Sequence, residues 1–284
     1  MEPTFSSGLV WFRRDLRVDD QAALYHALRQ CAQVHCVFVF DREILDPLPR
    51  ADRRVEFIRE SLVALDEGLR DLSGQPHGGL IVRHAVARDD IPALARQLQV
   101  QAVFANHDDE PQALERDAHV RTALQALGMR LLTFKDHTIF ERGEVMTQSA
   151  TPYSVFTPYK NAWLRKIDDF YLSAYPVERY GRNLAERPQG LRRGVPSLQA
   201  LGFEPAGLAQ LRLPTGMQGA QALFADFLER IDAYDEARDF PAVKGPSYLS
   251  VHLRFGTLSP RLAARTAYAR SQAGSAGAAT WLSE

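Results

Sequence analysis

The segment Leu9-Val-Trp-Phe-Arg-Arg-Asp-Leu-Arg-Val-Asp-Asp20 carries the strongest single indication of the fold of this 284-residue chain. An apolar run typical of a buried strand ends where Arg13, Arg14, Asp15 and Arg17 follow. In doubly wound sheets, ligands bind just beyond the carboxyl ends of the strands. The four charged side chains therefore either contact a ligand or form ion pairs within the protein. Ion pairing is favoured, because charged groups are common at strand ends.

A short apolar run followed by helical periodicity repeats along residues 8–134. The repeats predict strands at residues 8–12, 34–40, 79–83, 102–106 and 130–134, and helices at residues 19–29, 53–72, 89–98 and 111–127. Asp20 and Asp89 or Asp90 are the expected N-caps, Pro111 suits a first helical turn, and Gly128 suits a left-handed helix end. The alternation predicts an α/β fold with a Rossmann-like, doubly wound parallel sheet covered on both faces.

Three regions are predicted from the change of pattern along the chain. Residues 1–135 form the α/β domain, and residues 136–205, where Gly, Pro and Arg accumulate, form a connector with one helix at 158–170. Ser259-Pro260 begins a later helix. Helical periodicity returns from Gly219, with one apolar face formed by Ala222, Phe224, Phe227, Leu228 and Ile231. Residues 206–284 are expected to begin an all-α domain that is still incomplete at residue 284.

Composition limits the classes of function. Lys and Arg number 34 against 35 Asp and Glu, a net charge of −1, so only a local basic patch could bind nucleic acid. Cys31 and Cys36 match neither a disulfide framework nor a zinc pattern, which favours a reducing, cytoplasmic location. The chain does not begin like a secretion signal, and no apolar run approaches the roughly 20 residues of a membrane span. We expect a monomer that does not enter membranes.

Two short segments each have two interpretations. Asn106-His-Asp-Asp-Glu110 could bind a metal ion, but its spacing matches no recognised ligand pattern. We expect its acids to complement the positive end of the following helix, and we expect no metal. Residues 153–163 are rich in aromatic side chains, for which packing of the connector is favoured and base stacking is the alternative. GxGxxG, P-loop and GxSxG motifs are absent, so nicotinamide-dependent, phosphoryl-transfer and hydrolytic enzymes are not supported.

Residues 238–261 combine a glycine, hydroxyl groups and cations in a segment that enters a helix. Gly245, Ser247 and Ser250 suit a bound phosphate. The cations that would suit a DNA backbone are Arg238, Lys244, Arg254 and Arg261. The same residue types are common in solvated loops, so the residues alone leave both interpretations open.

Together these segments resemble the DNA photolyase/cryptochrome family from Leu9 to Glu284, essentially the whole chain. Val10-Trp-Phe-Arg-Arg-Asp-Leu-Arg17 is similar to the amino-terminal signature of photolyases and cryptochromes, and Leu258-Ser-Pro-Arg261 is also family-wide. Val155-Phe-Thr-Pro-Tyr-Lys-Asn-Ala-Trp163 and Arg238-Asp-Phe-Pro-Ala-Val243 are more similar to bacterial class I cyclobutane pyrimidine dimer photolyases.

The resemblance implies an α/β antenna domain, a connector and a helical domain that binds FAD and DNA. By matching positions, it implies that Arg238 contacts DNA and that Glu284 is the catalytic residue that hydrogen-bonds the flipped dimer. It implies an FAD site lined by Tyr234, Ser247, Leu249, Ser250 and Trp281, with the serines near the phosphates. The chain departs from the family at Pro246, where a threonine is common. It also has Gln112-Ala113 where folate-binding members have Asn-Glu, so folate is not supported and the identity of the antenna chromophore stays open.

The activity implied is that of a deoxyribodipyrimidine photo-lyase acting on UV-damaged DNA. Reduced FAD, excited by light, passes an electron to the pyrimidine dimer, which splits. The carboxyl of Glu284 can donate a hydrogen bond only when protonated, which burial favours. Because the rest of the FAD pocket lies beyond residue 284 in the family, we expect the isolated chain to bind FAD weakly and to repair nothing. A cryptochrome-like blue-light photoreceptor without repair activity, and a module in which only the α/β domain binds a chromophore, are the alternatives.

Overall fold

A five-stranded parallel sheet forms the first part of the molecule. The computed structural model describes residues 3–284, and the sheet has the strand order β3-β2-β1-β4-β5. The strands are β1 (Phe5–Phe12), β2 (Cys31–Asp41), β3 (Leu80–Ala85), β4 (Ala102–Asn106) and β5 (Arg130–Phe134). Every neighbouring pair is parallel. The five predicted strands and the doubly wound sheet are therefore confirmed, with the reversal of strand order between β1 and β4.

Helices cover both faces of this sheet and make up the rest of the chain. Along β1, Leu9 and Trp11 pack into one hydrophobic cluster, whereas Val10 and Phe12 pack into another. Because successive side chains of a strand point to opposite faces, the sheet is buried on both sides. The helices are α1 (Ala22–Gln30), α2 (Arg42–Leu45), α3 (Arg53–Ser73), α4 (Ala87–Gln97), α5 (Pro111–Ala126), α6 (Phe156–Lys166), α7 (Asp169–Leu172), α8 (Gly216–Leu228), α9 (Tyr234–Ala237), α10 (Ser250–Phe255), α11 (Pro260–Gln272) and α12 (Ala276–Leu282).

Helix ends match the predictions in part. Pro111 lies in the first turn of α5, Gly128 has a φ of 73°, and the Ser259 hydroxyl caps α11 by accepting from the amide of Leu262. The expected caps of α1 and α4 are wrong. Gln21 caps α1 and Val86 precedes α4 without a side-chain cap, while Asp89 and Asp90 lie inside the first turn of α4.

The connector packs against the α/β domain along much of its length. The predicted helix at 158–170 is two helices, because the Asp168 carboxylate accepts from the amides of Phe170 and Tyr171 and so starts α7. Farther along, Leu184 forms a parallel bridge to Val34 at the start of β2. Several short 3-10 helices lie along the segment from 177 to 211, at Val177–Asn183, Gln189–Leu191, Gln199–Leu201 and Leu208–Leu211.

Residues 216–284 form a helical layer with its own hydrophobic cluster. Phe224, Phe227 and Ile231 are buried there as predicted, together with Tyr234. Ala222, expected on the same face, is exposed. Among residues 3–284, no helix has both the length and the apolar character needed to cross a membrane.

A buried ionic network joins the helical layer to the sheet. The carboxylate of Asp136 accepts from Arg17 at 2.7 Å and from Arg261 of α11 at 2.8 Å. Arg261 also donates to Asp20 at 2.9 Å, and Ser259 donates to the other Asp20 oxygen at 2.5 Å. The side chain of Asp136 is fully buried and that of Arg261 is 5% exposed. The network therefore fixes where α11 lies relative to the carboxyl end of β1.

Candidate functional site

A cleft of about 500 Å³ opens at the carboxyl ends of β1 and β2, where ligands of doubly wound sheets bind. Its floor includes the rings of Trp11 and Phe40. The guanidinium groups of Arg13 and Arg116 lie 4.8 Å and 4.9 Å from the centre of the Trp11 ring. Both guanidinium groups are paired with Asp117. Five acidic residues also line the cleft: Asp41, Glu43, Asp108, Glu110 and Glu115. The cleft therefore suits a flat ligand that packs on its apolar side chains. The sequence analysis missed Arg116, although Gln112, Arg116 and His119 recur at helical spacing and all line the cleft.

The charged residues after β1 form ion pairs and hydrogen bonds within the protein, as favoured from the sequence. Arg13 pairs with Asp117 at 2.6 Å, and Arg17 belongs to the buried ionic network. Asp15 accepts from the side-chain amides of Gln21 and Asn106 at 2.7 Å and 2.6 Å. These side chains hold the loop in place.

The acids that follow β4 bind arginines. Arg14 lies 3.2 Å from Asp108 and 2.9 Å from Glu110, and Arg254 of α10 reaches the same oxygen of Glu110 at 2.6 Å. Asp109 pairs with Arg142. Glu110 is the N-cap residue of α5, although its side chain makes no capping hydrogen bond and the first turn itself holds no acidic residue. That these acids complement the positive end of α5 stays a prediction. Within residues 3–284, no group of three or more His, Cys, Asp or Glu side chains is placed to hold a metal ion.

A second cluster forms where α9 meets α12, and it contains four of the residues singled out from the sequence. The hydroxyl of Tyr234 donates to Glu284 Oε2 at 2.5 Å, and Arg238 pairs with Glu284 Oε1. The half-buried ring of Trp281 lies 5.0 Å from that of Phe227. These contacts bring an aromatic surface, a carboxylate and a cation together, and we call Tyr234, Arg238, Trp281 and Glu284 the α9–α12 cluster.

Glycine allows α12 to approach closely enough to build this cluster. A Cβ at Gly277 would lie 2.2 Å from the carbonyl oxygen of Ile231, so only glycine fits without a shift of backbone. Gly245 plays the same part for the next segment, where a Cβ would meet the Ala237 carbonyl oxygen at 2.8 Å.

The other residues predicted to line the FAD site differ in how deeply they are buried. Leu249 is fully buried in the same hydrophobic cluster as Tyr234. Ser247 is half-buried and accepts from the amide of Leu249 at 3.5 Å, whereas Ser250 is exposed at the start of α10. Both serines follow α9 in the sequence. Their hydroxyls take no part in the hydrogen bonds of the α9–α12 cluster.

All four cations expected to face DNA have partners within the chain. Arg261 is buried in the ionic network, which contradicts its assignment to a DNA-binding surface. Lys244 pairs with Asp226 at 2.8 Å, and Arg254 pairs with Glu110. Arg238 remains at the α9–α12 cluster, where its side chain is 34% exposed.

Known proteins of similar sequence and fold fit this geometry. A family model described as DNA photolyase matches residues 8–178. The deoxyribodipyrimidine photo-lyase of a Synechococcus strain is 32% identical over 92% of this chain and 53% of its own length. An uncharacterized 31.6 kDa protein of another Synechococcus strain is 33% identical over 97% of this chain and 96% of its own length.

A solved structure agrees with the fold. The class III photolyase of Agrobacterium tumefaciens superposes with a TM-score of 0.80 at 24% identity, covering 100% of this chain and 56% of that one. The chain thus spans about half the length of the curated photo-lyases that it matches. Cryptochromes are among its relatives as well. From the sheet, the family model and these relatives, it follows that the chain belongs to the DNA photolyase family.

Proposed function

We propose that this chain serves light-dependent repair of UV-damaged DNA by splitting cyclobutane pyrimidine dimers. Residues 1–135 would carry the antenna chromophore, residues 136–205 would connect, and residues 206–284 would supply part of the FAD and DNA sites. FAD, when bound, supplies the electron that splits the dimer. The proposal is carried by the α9–α12 cluster, in which a carboxyl, a phenol, a guanidinium and a tryptophan ring converge.

The residues present are compatible with a flavin dinucleotide. Trp281 is packed on Phe227 on one side and half-buried, which leaves part of the indole for a flat ring system. Near Ser247, Arg230 donates to the carbonyl of Pro246 at 3.0 Å, and its buried Nε lacks a partner. A cation and hydroxyl groups in this place suit phosphates, so we propose that Tyr234, Ser247, Leu249, Ser250 and Trp281 line the FAD site.

Arg238 and Glu284 are bound to each other. We therefore propose that Arg238 must leave Glu284 before Glu284 can contact the dimer. A guanidinium beside a carboxyl favours the ionised carboxylate, which cannot donate a hydrogen bond to a dimer. When a DNA phosphate attracts Arg238, Glu284 loses that cation and keeps Tyr234 as its partner. The carboxyl of Glu284 is exposed, whereas its role as a hydrogen-bond donor would favour burial. We propose that DNA binding releases this carboxyl from Arg238 and leaves it free to contact the dimer.

The cleft beside β1 is proposed to hold the antenna chromophore. Gln112 and Ala113, the two positions at which the chain departs from folate-binding members, both line this cleft. Alanine cannot replace the carboxylate of a glutamate, so we propose that the cleft holds a flat chromophore other than folate.

The test compares Glu284, which follows α12 and contacts Tyr234, with Glu236 of α9. The protein to use is the product of the complete reading frame that contains these codons, with bound FAD quantified first. Glu284→Gln should lower the yield of dimer splitting per absorbed photon at unchanged FAD content. Glu236→Gln, on the exposed side of α9, should leave the yield unchanged. An equal yield in both variants would contradict the role of Glu284, and light-driven flavin reduction without any repair by wild type would favour a cryptochrome-like photoreceptor.

A further inference from the structure

Helix α6 lies on the surface with an apolar and aromatic face exposed. None of its residues is buried, and Phe156 is 58% exposed and Tyr159 is 37% exposed. Val155, just before the helix, is 60% exposed. The ring of Tyr153 lies 6.1 Å from that of Tyr159, so the aromatic surface continues into the preceding loop. Large apolar side chains clustered on a surface indicate that a partner binds there.

The helix is nevertheless held firmly at its carboxyl-terminal half. Trp163 packs edge-to-face on Phe140 with ring centres 5.6 Å apart. Lys166 donates to the carbonyl oxygen of Glu144 and lies over the rings of Phe140 and Tyr171. The exposed face is therefore presented by an anchored helix and not by a frayed end.

The charge of this segment favours an anionic partner. From Met146 to Ile167 the chain contains no acidic residue. Among the ion pairs of residues 3–284, Lys160 and Arg165 take no part, so both cations are available. Next to the helix, the hydroxyls of Thr147, Ser149 and Thr151 form a hydrogen-bonded group on the surface. Hydroxyl groups and cations are the side chains that contact phosphates.

We propose that Val155, Phe156, Tyr159 and Lys160, the α6 surface, bind a single-stranded nucleic acid. Proteins that bind single strands without sequence preference combine aromatic rings, on which bases stack, with cations that follow the backbone. The α6 surface has both, and its lack of acids disfavours a basic peptide as the partner. This binding requires neither a pyrimidine dimer nor FAD, so it goes beyond the proposed repair function.

The test uses a fluorescent, undamaged thymidine oligomer in the dark, without FAD, and follows anisotropy at several salt concentrations. Replacing both rings, Phe156→Leu with Tyr159→Leu, keeps apolar volume and should weaken binding roughly ten-fold, because stacking contributes about 1–3 kcal/mol per base. Replacing the cation, Lys160→Gln, should lower the slope of log K against log salt by about 0.7, the value for one lost phosphate contact on a single strand.

Matched controls separate this surface from other aromatic and basic side chains. Phe170→Leu removes a ring that is 79% exposed beside two aspartates, and Arg96→Gln removes an exposed cation of α4. Both should bind like wild type, and so should Glu284→Gln, which separates this proposal from the repair function. Three results would overturn it: no binding by wild type, equal affinity in the α6 variants, or self-association that the two leucines abolish without any nucleic-acid binding.

Discussion

Replacing Asp136 by asparagine should destabilise the whole molecule, because this carboxylate neutralises two buried guanidinium groups. Burial alone would raise the pKa of Asp136, but Arg17 and Arg261 outweigh it and hold the pKa below its usual range. Asparagine keeps the shape but leaves the Asp20 carboxylate as the acid partner of Arg261 alone. Arg17 then keeps only main-chain carbonyls, such as those of Asp20 and Gly256. Breaking a buried pair from one side typically costs about 3–5 kcal/mol, and we expect a loss of that size in the free energy of unfolding.

Urea denaturation followed by circular dichroism measures this loss, with Asp46→Asn as the control. Asp46 pairs with Arg42 at 3.2 Å, but both side chains are more than half exposed, so its replacement should cost less than about 0.5 kcal/mol. A lowered folded-state pKa means that the contribution of Asp136 is complete above its unfolded pKa of about 3.9 and is lost as the pH falls through the folded value. The asparagine variant should lack this part of the acid sensitivity. A loss below about 1 kcal/mol in Asp136→Asn would refute the reasoning.

Two further predictions concern a close contact and a buried histidine. Gly256→Ala should lower the melting temperature much more than Gly74→Ala. Both glycines have a φ of 64°, but only at Gly256 would the new Cβ meet a backbone oxygen, that of Arg14 at 2.1 Å. Equal shifts in the two variants would show that conformational strain alone matters. Burial, with a smaller contribution from the nearby Arg29, lowers the pKa of His26 to about 4. Stability should therefore be complete above pH about 6.5 and fall between there and pH about 4, and a His26→Phe variant that kept the same pH dependence would contradict this.

The sheet could be predicted from local sequence because each buried parallel strand is a continuous apolar run. All five runs became strands of a parallel sheet, as their alternation with helices indicated, whereas their order was seen only in the structure. Helix ends were predicted less well, since a cap depends on one side chain. Asp168, for example, interrupts what reads as a single helix, and only its hydrogen bonds to Phe170 and Tyr171 reveal this.

The roles of individual charged residues could not be predicted, because their partners are far away in sequence. Arg261 looks like a DNA-binding arginine in its local segment, yet its acids are Asp20 and Asp136, separated from it by 241 and 125 positions. Asp20 looks like a helix cap but instead binds α11. Local patterns show that a residue is charged, and only the packed structure shows which opposite charge it meets.

These long-range pairs give the charged loop after β1 a structural role. Its arginines hold other parts of the protein in place, so not every one of them has to contact a ligand. Arg17 docks α11 through Asp136, while Arg14 and Arg254 share Glu110 at the rim of the cleft. The amide of Leu16 also donates to the carbonyl of Phe255 at the end of α10. The cleft beside the sheet and the helical layer are therefore joined by the same loop. A chromophore in the cleft and a flavin at the α9–α12 cluster would then be held in one fixed relative position, which energy transfer between two proposed pigments requires.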